Sequence, residues 1–233
     1  MKNSFSPGAE SKEVILDHIY RVHEKLAVPE NIACKRGCSH CCTCNVTLTG
    51  LEAMRMAEYI LAGGKAELLI DRLKAASGRK RFQPGFTTNQ MADFCMQGQE
   101  LPEEENDPSW GPCPLLTNGE CPVYPVRPFG CRCMVSARNC GETGYADMSE
   151  FTAMVNEVVL QYIEHVDAGG YFGNLTDMLL YLLENRNLQN YRDGIRGNMP
   201  ENLIANQPLR GLMVPPEFRK KIRPILQALE NPE

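Results

Sequence analysis

The stretch CKRGCSHCCTC, from Cys34 to Cys44, carries five of the eleven cysteines in a chain of 233 residues. Thiolates crowded in this way repel one another, and a bound cation offsets the repulsion while holding the ligands deprotonated. A second group lies well downstream in CPLLTNGECPVYPVRPFGCRC, with Cys113, Cys121, Cys131 and Cys133. Two short clusters separated by helical sequence predict a single loop-built metal site closed by folding. A disulfide framework is the competing explanation, but it belongs to small secreted domains. It fits poorly with an odd cysteine count, a chain of this length, and a polar Met1–Ser11 segment without the apolar core of a signal peptide.

Outward from the first cluster the pattern is helical. Val14, Ile15, Ile19, Val22 and Leu26 recur at helical spacing over residues 12–26. Thr49 and Glu52, three apart in TGLE, form a capping box that opens a helix to about residue 62, where Gly63 and Gly64 stop it. Further helices are expected over 65–76, 88–97, 150–166 and 216–229, with another starting at Asn174 in LTDMLLYLLENR. In the last of these Leu175, Met178, Leu179 and Leu182 are expected in the core. Seven prolines between Pro102 and Pro128 exclude long regular helix there. Gly169 and Gly170 read as a helix cap. The fold class expected is mainly α, with helices around a loop-built cysteine site and little or no sheet. Residues 1–148 read as a cysteine-cluster domain and 149–233 as a helical extension packed on it.

Spacing narrows the chemistry without completing it. Cys34, Cys38 and Cys41 can hold three corners of a [4Fe–4S] cluster, with Cys113, Cys121 or Cys131 as the fourth. A structural zinc would be satisfied by Cys38 and Cys41 with two downstream cysteines. Thiolate sulfur suits both metals and excludes magnesium and calcium. The three-then-two spacing also occurs in radical S-adenosylmethionine enzymes, but their barrel of alternating strands and helices has no counterpart here. Adjacent Cys41 and Cys42 diverge in most backbones, which leaves room for two metals. His40 is a candidate ligand or hydrogen-bond donor. Arg127 and Arg132 flank Cys131 and could hydrogen-bond metal-bound sulfur, making them candidate cofactor-binding residues. Cys95, alone on a helix, reads as a small buried apolar residue, and His18 and His23 as surface or capping residues.

In order along the chain come Cys34, Cys38, Cys41 and Cys42, then CPLL, CPVYPVRP and the Cys131–Arg132 pair. This pattern resembles the YkgJ-like, CxxCxxCC cysteine-cluster family of zinc- or iron-chelating domains, over roughly residues 34 to 132. The resemblance implies as ligands Cys34, Cys38, Cys41, Cys42, Cys113, Cys121 and Cys131. Cys44, Cys133 and Cys140 are extra to the pattern. A similar cysteine pattern occurs in flagellin lysine N-methylases, which are longer and use S-adenosylmethionine.

Composition excludes several function classes. A hydrophobic fraction of 43% is enough for a core, while no apolar run reaches the roughly 18 residues needed to cross a bilayer. A net charge of -5 and a pI near 5.5 argue against a broad nucleic-acid surface. The basic run Arg79–Arg81 and the acidic run Glu103–Asp107 read as solvated loops. No glycine-rich dinucleotide fingerprint, P-loop or HExxH motif is present. The expectation is therefore a cytoplasmic metal-binding protein with a cysteine-ligated iron–sulfur cluster (4Fe-4S), favoured over zinc. One alternative is a metal-dependent enzyme such as an S-adenosylmethionine-dependent protein lysine N-methyltransferase. The other is a metal delivery or sensing protein. The partner expected is the metal ion or cluster itself, with no membrane.

Overall fold

Directly after the first cysteine cluster, Thr49 ends a three-residue strand, β1 (Thr47–Thr49), and caps α2 (Gly50–Ala62). The capping box is complete: the Glu52 amide donates to Thr49 Oγ1, and the Thr49 amide donates to Glu52 Oε2 at 3.0 Å. The computed structural model describes residues 9–29, 31–195 and 197–231. Residues 1–8 of the polar leading segment therefore lie outside the described residues.

The expected helices are present as α1 (Ala9–Leu26), α3 (Ala66–Ala76), α4 (Thr88–Met96), α7 (Glu150–Val166), α8 (Leu175–Leu182) and α10 (Arg219–Glu230). The LTDMLLYLLENR helix is shorter than expected. Glu184 takes an extended conformation after α8, and the chain restarts as α9 (Asn185–Arg192). Two helices of four residues each, α5 (Phe129–Arg132) and α6 (Cys140–Thr143), lie within the cysteine region. Two strands follow α7 and α9, namely β2 (Tyr171–Asn174) and β3 (Leu203–Ala205). They join β1 in a small antiparallel sheet of order β1-β2-β3, with Leu48 opposite Gly173 and Phe172 opposite Ile204. The fold is mainly α, as its periodicity requires.

The core forms where the apolar faces of α1, α2, α7 and α8 meet, and α10 closes it against α1. Leu16, Met56, Val158 and Met178 are fully buried, and so are Leu179 and Leu182 of the stripe read from the sequence. On α1 the buried stripe is Leu16, Ile19, Val22 and His23, whereas Val14 and Leu26 are exposed. His18 and His23 are thus core residues rather than surface ones. His18 Nε2 bonds the Ala228 carbonyl of α10 at 2.7 Å, and His23 Nε2 bonds Asn156 Oδ1 of α7 at 2.8 Å. Each ring finds a polar partner on the helix it faces, which is what lets it be buried.

After α7, the C-cap is Asp167, and Gly169 takes a positive φ of 78° before the chain turns into β2. The basic run is only partly solvated: the Arg81 and Asp177 side chains are 8% and 6% exposed and form a two-pronged ion pair. Lys80 pairs with Glu105 in solvent at 2.7 Å. No helix among the described residues is long and apolar enough to cross a membrane.

Candidate metal centre

The first cysteine loop is shaped by two tight turns. The Cys38 amide donates to the Lys35 carbonyl at 3.0 Å, closing a turn whose third residue, Gly37, has φ of 89°. Such a conformation favours glycine, and it folds Cys38 back toward Cys34. The Cys42 amide then donates to Ser39 in a second turn.

The second cluster is joined to the first by backbone. Thr43 and Pro112 form an antiparallel bridge, the Cys113 amide donates to the Cys42 carbonyl at 2.9 Å, and the Cys44 amide donates to the Gly111 carbonyl at 2.9 Å. Cys42 and Cys113 are thereby held side by side. A two-residue hairpin follows, with Asn118 and Gly119 both at positive φ and reciprocal Thr117–Glu120 bonds of 2.9 Å. This type I′ pattern delivers Cys121. The Asn-Gly pair is a turn signal legible in the sequence, in a segment whose prolines speak only against helix.

Cys131 sits on α5, whose first amide, that of Phe129, donates to Glu52 Oε1 at 2.6 Å. The same oxygen accepts from the Tyr20 hydroxyl at 2.7 Å. One buried carboxylate therefore caps α2, ties down α1 and supplies an acceptor for an unpaired amide at the start of the Cys131 helix. Sequence reasoning found Glu52 as a cap but had no signal for its reach of 77 residues to Phe129.

These segments enclose a cavity of about 160 Å³ lined by Cys34, Cys38, Cys41, Cys42, Cys113, Cys121 and Cys131. Fold closure thus brings all seven sequence candidates to one cavity, along with Arg127 and Arg132. Its walls include Val46, Met56, Leu115 and Leu175. Among the described residues, no group of three or more His, Cys, Asp or Glu side chains stands in the geometry of a metal site. All eleven cysteines carry free thiols.

Burial pushes the Cys113 thiol up to about 11 and Cys131 well above its ordinary value, with the neighbouring Cys113 and Cys121 sulfurs adding to the latter. Cys121 is raised by burial as well, against the pull of the Arg127 charge. The adjacent pair shares a proton: a hydrogen bond from Cys42 draws Cys41 down and raises Cys42. An ion at such thiols would have to supply the charge compensation that water cannot.

Arg127 stacks on Tyr124, 3.8 Å from the ring centroid, and donates to the Tyr124 carbonyl at 3.1 Å. Arg132 donates to the carbonyls of Arg127 and Pro125 and lies 4.4 Å over the Tyr20 ring. Both guanidiniums brace the turn between Cys121 and Cys131, and their hydrogen bonds go to backbone.

The remaining cysteines separate. Cys133 is buried, and Asn156 Nδ2 donates to its carbonyl at 3.1 Å. Cys44 lies beside Lys80 and Trp110 in a separate small pocket. Cys95 is exposed on α4, not buried as its helical setting suggested. Met96 beside it is exposed as well, while Ala92 packs inward and Phe94 packs against Phe86. The chain has no significant match to a family model, to a curated protein or to a solved structure.

Proposed function

We propose that this chain is a metal-binding protein whose cysteine-lined cavity holds an iron–sulfur cluster in preference to a lone zinc ion. The observation that carries the reading is the free volume of about 160 Å³ among seven cysteines. A single zinc brings its four sulfurs to about 2.3 Å and needs no space beyond that contact shell. A cluster that carries its own sulfides does need such space, and Met56, Leu115 and Leu175, all buried, give it an apolar wall on the core side. The donor set fits: thiols are the ligands such clusters take, and Cys113 and Cys131, whose thiols desolvation raises, come from the region braced by Glu52 and the two arginines. When bound, the cluster would supply one-electron redox capacity or a rigid cross-link between the two loops. Free thiols throughout suit a reducing compartment, for which we take the cytoplasm.

Metal and sulfide analysis on protein purified without oxygen tests this. Iron and inorganic sulfide in equal amounts, with a broad absorption near about 400 nm, are expected. Stoichiometric zinc in a colourless protein would replace the cluster with a structural zinc site. Calorimetry with S-adenosylmethionine on the same metallated sample decides the methyl-transfer alternative.

A further inference from the structure

The cysteines around the cavity are not equivalent. Cys42, Cys113, Cys121 and Cys131 are drawn together by the Thr43–Pro112 bridge, the Asn118–Gly119 hairpin and α5. Cys34 and Cys38 come from the outer turn, which faces a different stretch of chain, residues 134–141. Contacts at both ends fasten the outer turn there. At one end the Ala33 amide donates to the Ser136 carbonyl at 2.8 Å, and Cys34 Sγ lies 3.8 Å from the Met134 carbonyl. At the other end the His40 ring lies over Gly141 so closely that a Cβ on that glycine would fall 2.7 Å from His40 Nε2. No larger residue fits at 141 without moving the imidazole.

Cys140 is the neighbour of that glycine and opens α6, whose Asn139 cap fixes it in place. The contacts of Ala33 and Cys34 with residues 134–136 and of His40 with Gly141 bring the outer turn, with Cys34, Cys38 and His40, to the segment that carries Cys140. Along the chain Cys41 separates the Cys34, Cys38 and His40 group from Cys42.

We infer that Cys34, Cys38, His40 and Cys140 form a second metal site, which takes one zinc or similar soft divalent ion beside the inner set of Cys42, Cys113, Cys121 and Cys131. Three thiolates and an imidazole are a complete tetrahedral donor set for structural zinc. The four side chains do not stand in metal-site geometry as they are, so binding would have to rotate them inward, and each cysteine sulfur moves by a single χ1 rotation. His40 is exposed, which opens the outer group to loading from solution. The inference rests on the metal-binding reading above only for the inner set. It gives the inner cavity four ligands and explains why seven cysteines exceed the needs of one centre. It also gives roles to His40 and Cys140, one of them an alternative in the sequence and the other extra to the cysteine-cluster pattern.

Metal content of the full chain tests it, with iron, zinc and sulfide counted per chain after anaerobic purification. The wild-type chain should hold one zinc beyond the inner complement. A variant combining His40→Ala with Cys140→Ser should lose that one equivalent and keep the inner metal and its absorption. Cys113→Ser with Cys131→Ser should do the reverse. Because a surface change could disturb the loop without touching an ion, His40→Cys supplies a second readout. Cobalt substituted at the outer site should remain bound in that variant, with its visible bands shifted by exchange of nitrogen for sulfur. Unchanged metal content in the His40→Ala, Cys140→Ser variant, or an unchanged cobalt spectrum in His40→Cys, would overturn the second site. Failure of the inner reading would be seen separately, as metal retained in full by the Cys113→Ser, Cys131→Ser variant.

Discussion

The helical core and the cysteine lobe of residues 111–147 are built on different balances. Helices α1, α2, α7 and α8 present continuous apolar stripes to one another, and their central side chains are removed from water altogether. The lobe has only two α-helices of four residues and a few buried apolar side chains, Leu115, Val123, Phe129, Cys133 and Val135. Its backbone is held instead by particular polar groups: the Cys42–Cys113 pairing, the arginines on their carbonyls, and Glu52. A region organised by apolar area loses stability gradually with each change. One organised by a few polar anchors depends heavily on each of them, and here the principal anchor belongs to the core.

Glu52 is therefore where the two regions can be separated most forcefully. It accepts hydrogen bonds from the Thr49 amide and hydroxyl, the Tyr20 hydroxyl and the Phe129 amide. Glu52→Ala leaves several buried donors without acceptors, each at a cost of about 1–3 kcal/mol, for a total on the order of 5 kcal/mol. Urea unfolding should show that loss, and hydrogen exchange should show the Phe129 amide opening before those of α7. If α7 and the lobe still open together with unchanged stability, Glu52 is not the link between them.

The Arg81–Asp177 pair makes a second, somewhat smaller test. It pins the segment after α3 to the first turn of α8, with both side chains nearly excluded from water. Arg81→Met leaves the Asp177 carboxylate buried and uncompensated, at about 3–4 kcal/mol. Adding Asp177→Leu should recover most of that, because the penalty comes from the unpaired charge rather than from loss of attraction. Equal destabilisation in the single and double variants would show that the pair itself supplies stability.

The same division explains how much could be read before folding. Helix positions follow from local signals, so the Thr49–Glu52 box and the Leu175–Leu182 stripe translated directly into α2 and α8. The cysteine candidates were also visible, since thiol spacing is local within each cluster. What escaped was set by contacts distant in sequence. The burial of His18 and His23 depends on partners at Ala228 and Asn156. Arg81 looked solvated until α8 arrived with Asp177. The strands of the small sheet are only three or four residues long, too short for an alternating pattern to register. Cys95 was assigned to the interior on residue type alone, and helix orientation placed it outside.

Beneath the core, Asp167 provides a pH-dependent handle that leaves the lobe alone. It accepts from the Tyr191 hydroxyl at 2.5 Å, Asn206 Nδ2 at 2.8 Å and the Leu51 amide at 3.1 Å, at 1% side-chain exposure. Burial raises its carboxyl from 3.8 to about 6, against the lowering effects of Tyr191, Lys12 and the two amide donors. The folded state then holds a proton that the unfolded state has released between about pH 4 and 6, so stability falls as pH rises through that window. The slope amounts to roughly 2–3 kcal/mol over the interval. Asp167→Asn should flatten it, which denaturation at a series of pH values would show. A slope of the same size in the variant would assign the effect to other carboxylates.

The smallest effect is expected at Cys95, and its smallness is informative. The side chain is exposed on α4 and lines neither the cavity nor the Cys44 pocket. Cys95→Ser should change stability by less than about 0.5 kcal/mol, the usual range for a surface position without a special role. Metal content should be unchanged. Alkylation supplies the sharper contrast: in the metal-loaded wild-type chain Cys95, exposed, should react first, while Cys113 and Cys131, half-buried in the cavity with thiols raised by desolvation, should react later. Loss of metal in Cys95→Ser would mean that a thiol outside both cysteine groups reaches the centre. The boundary drawn between helical core and cysteine lobe would then have to move to include α4.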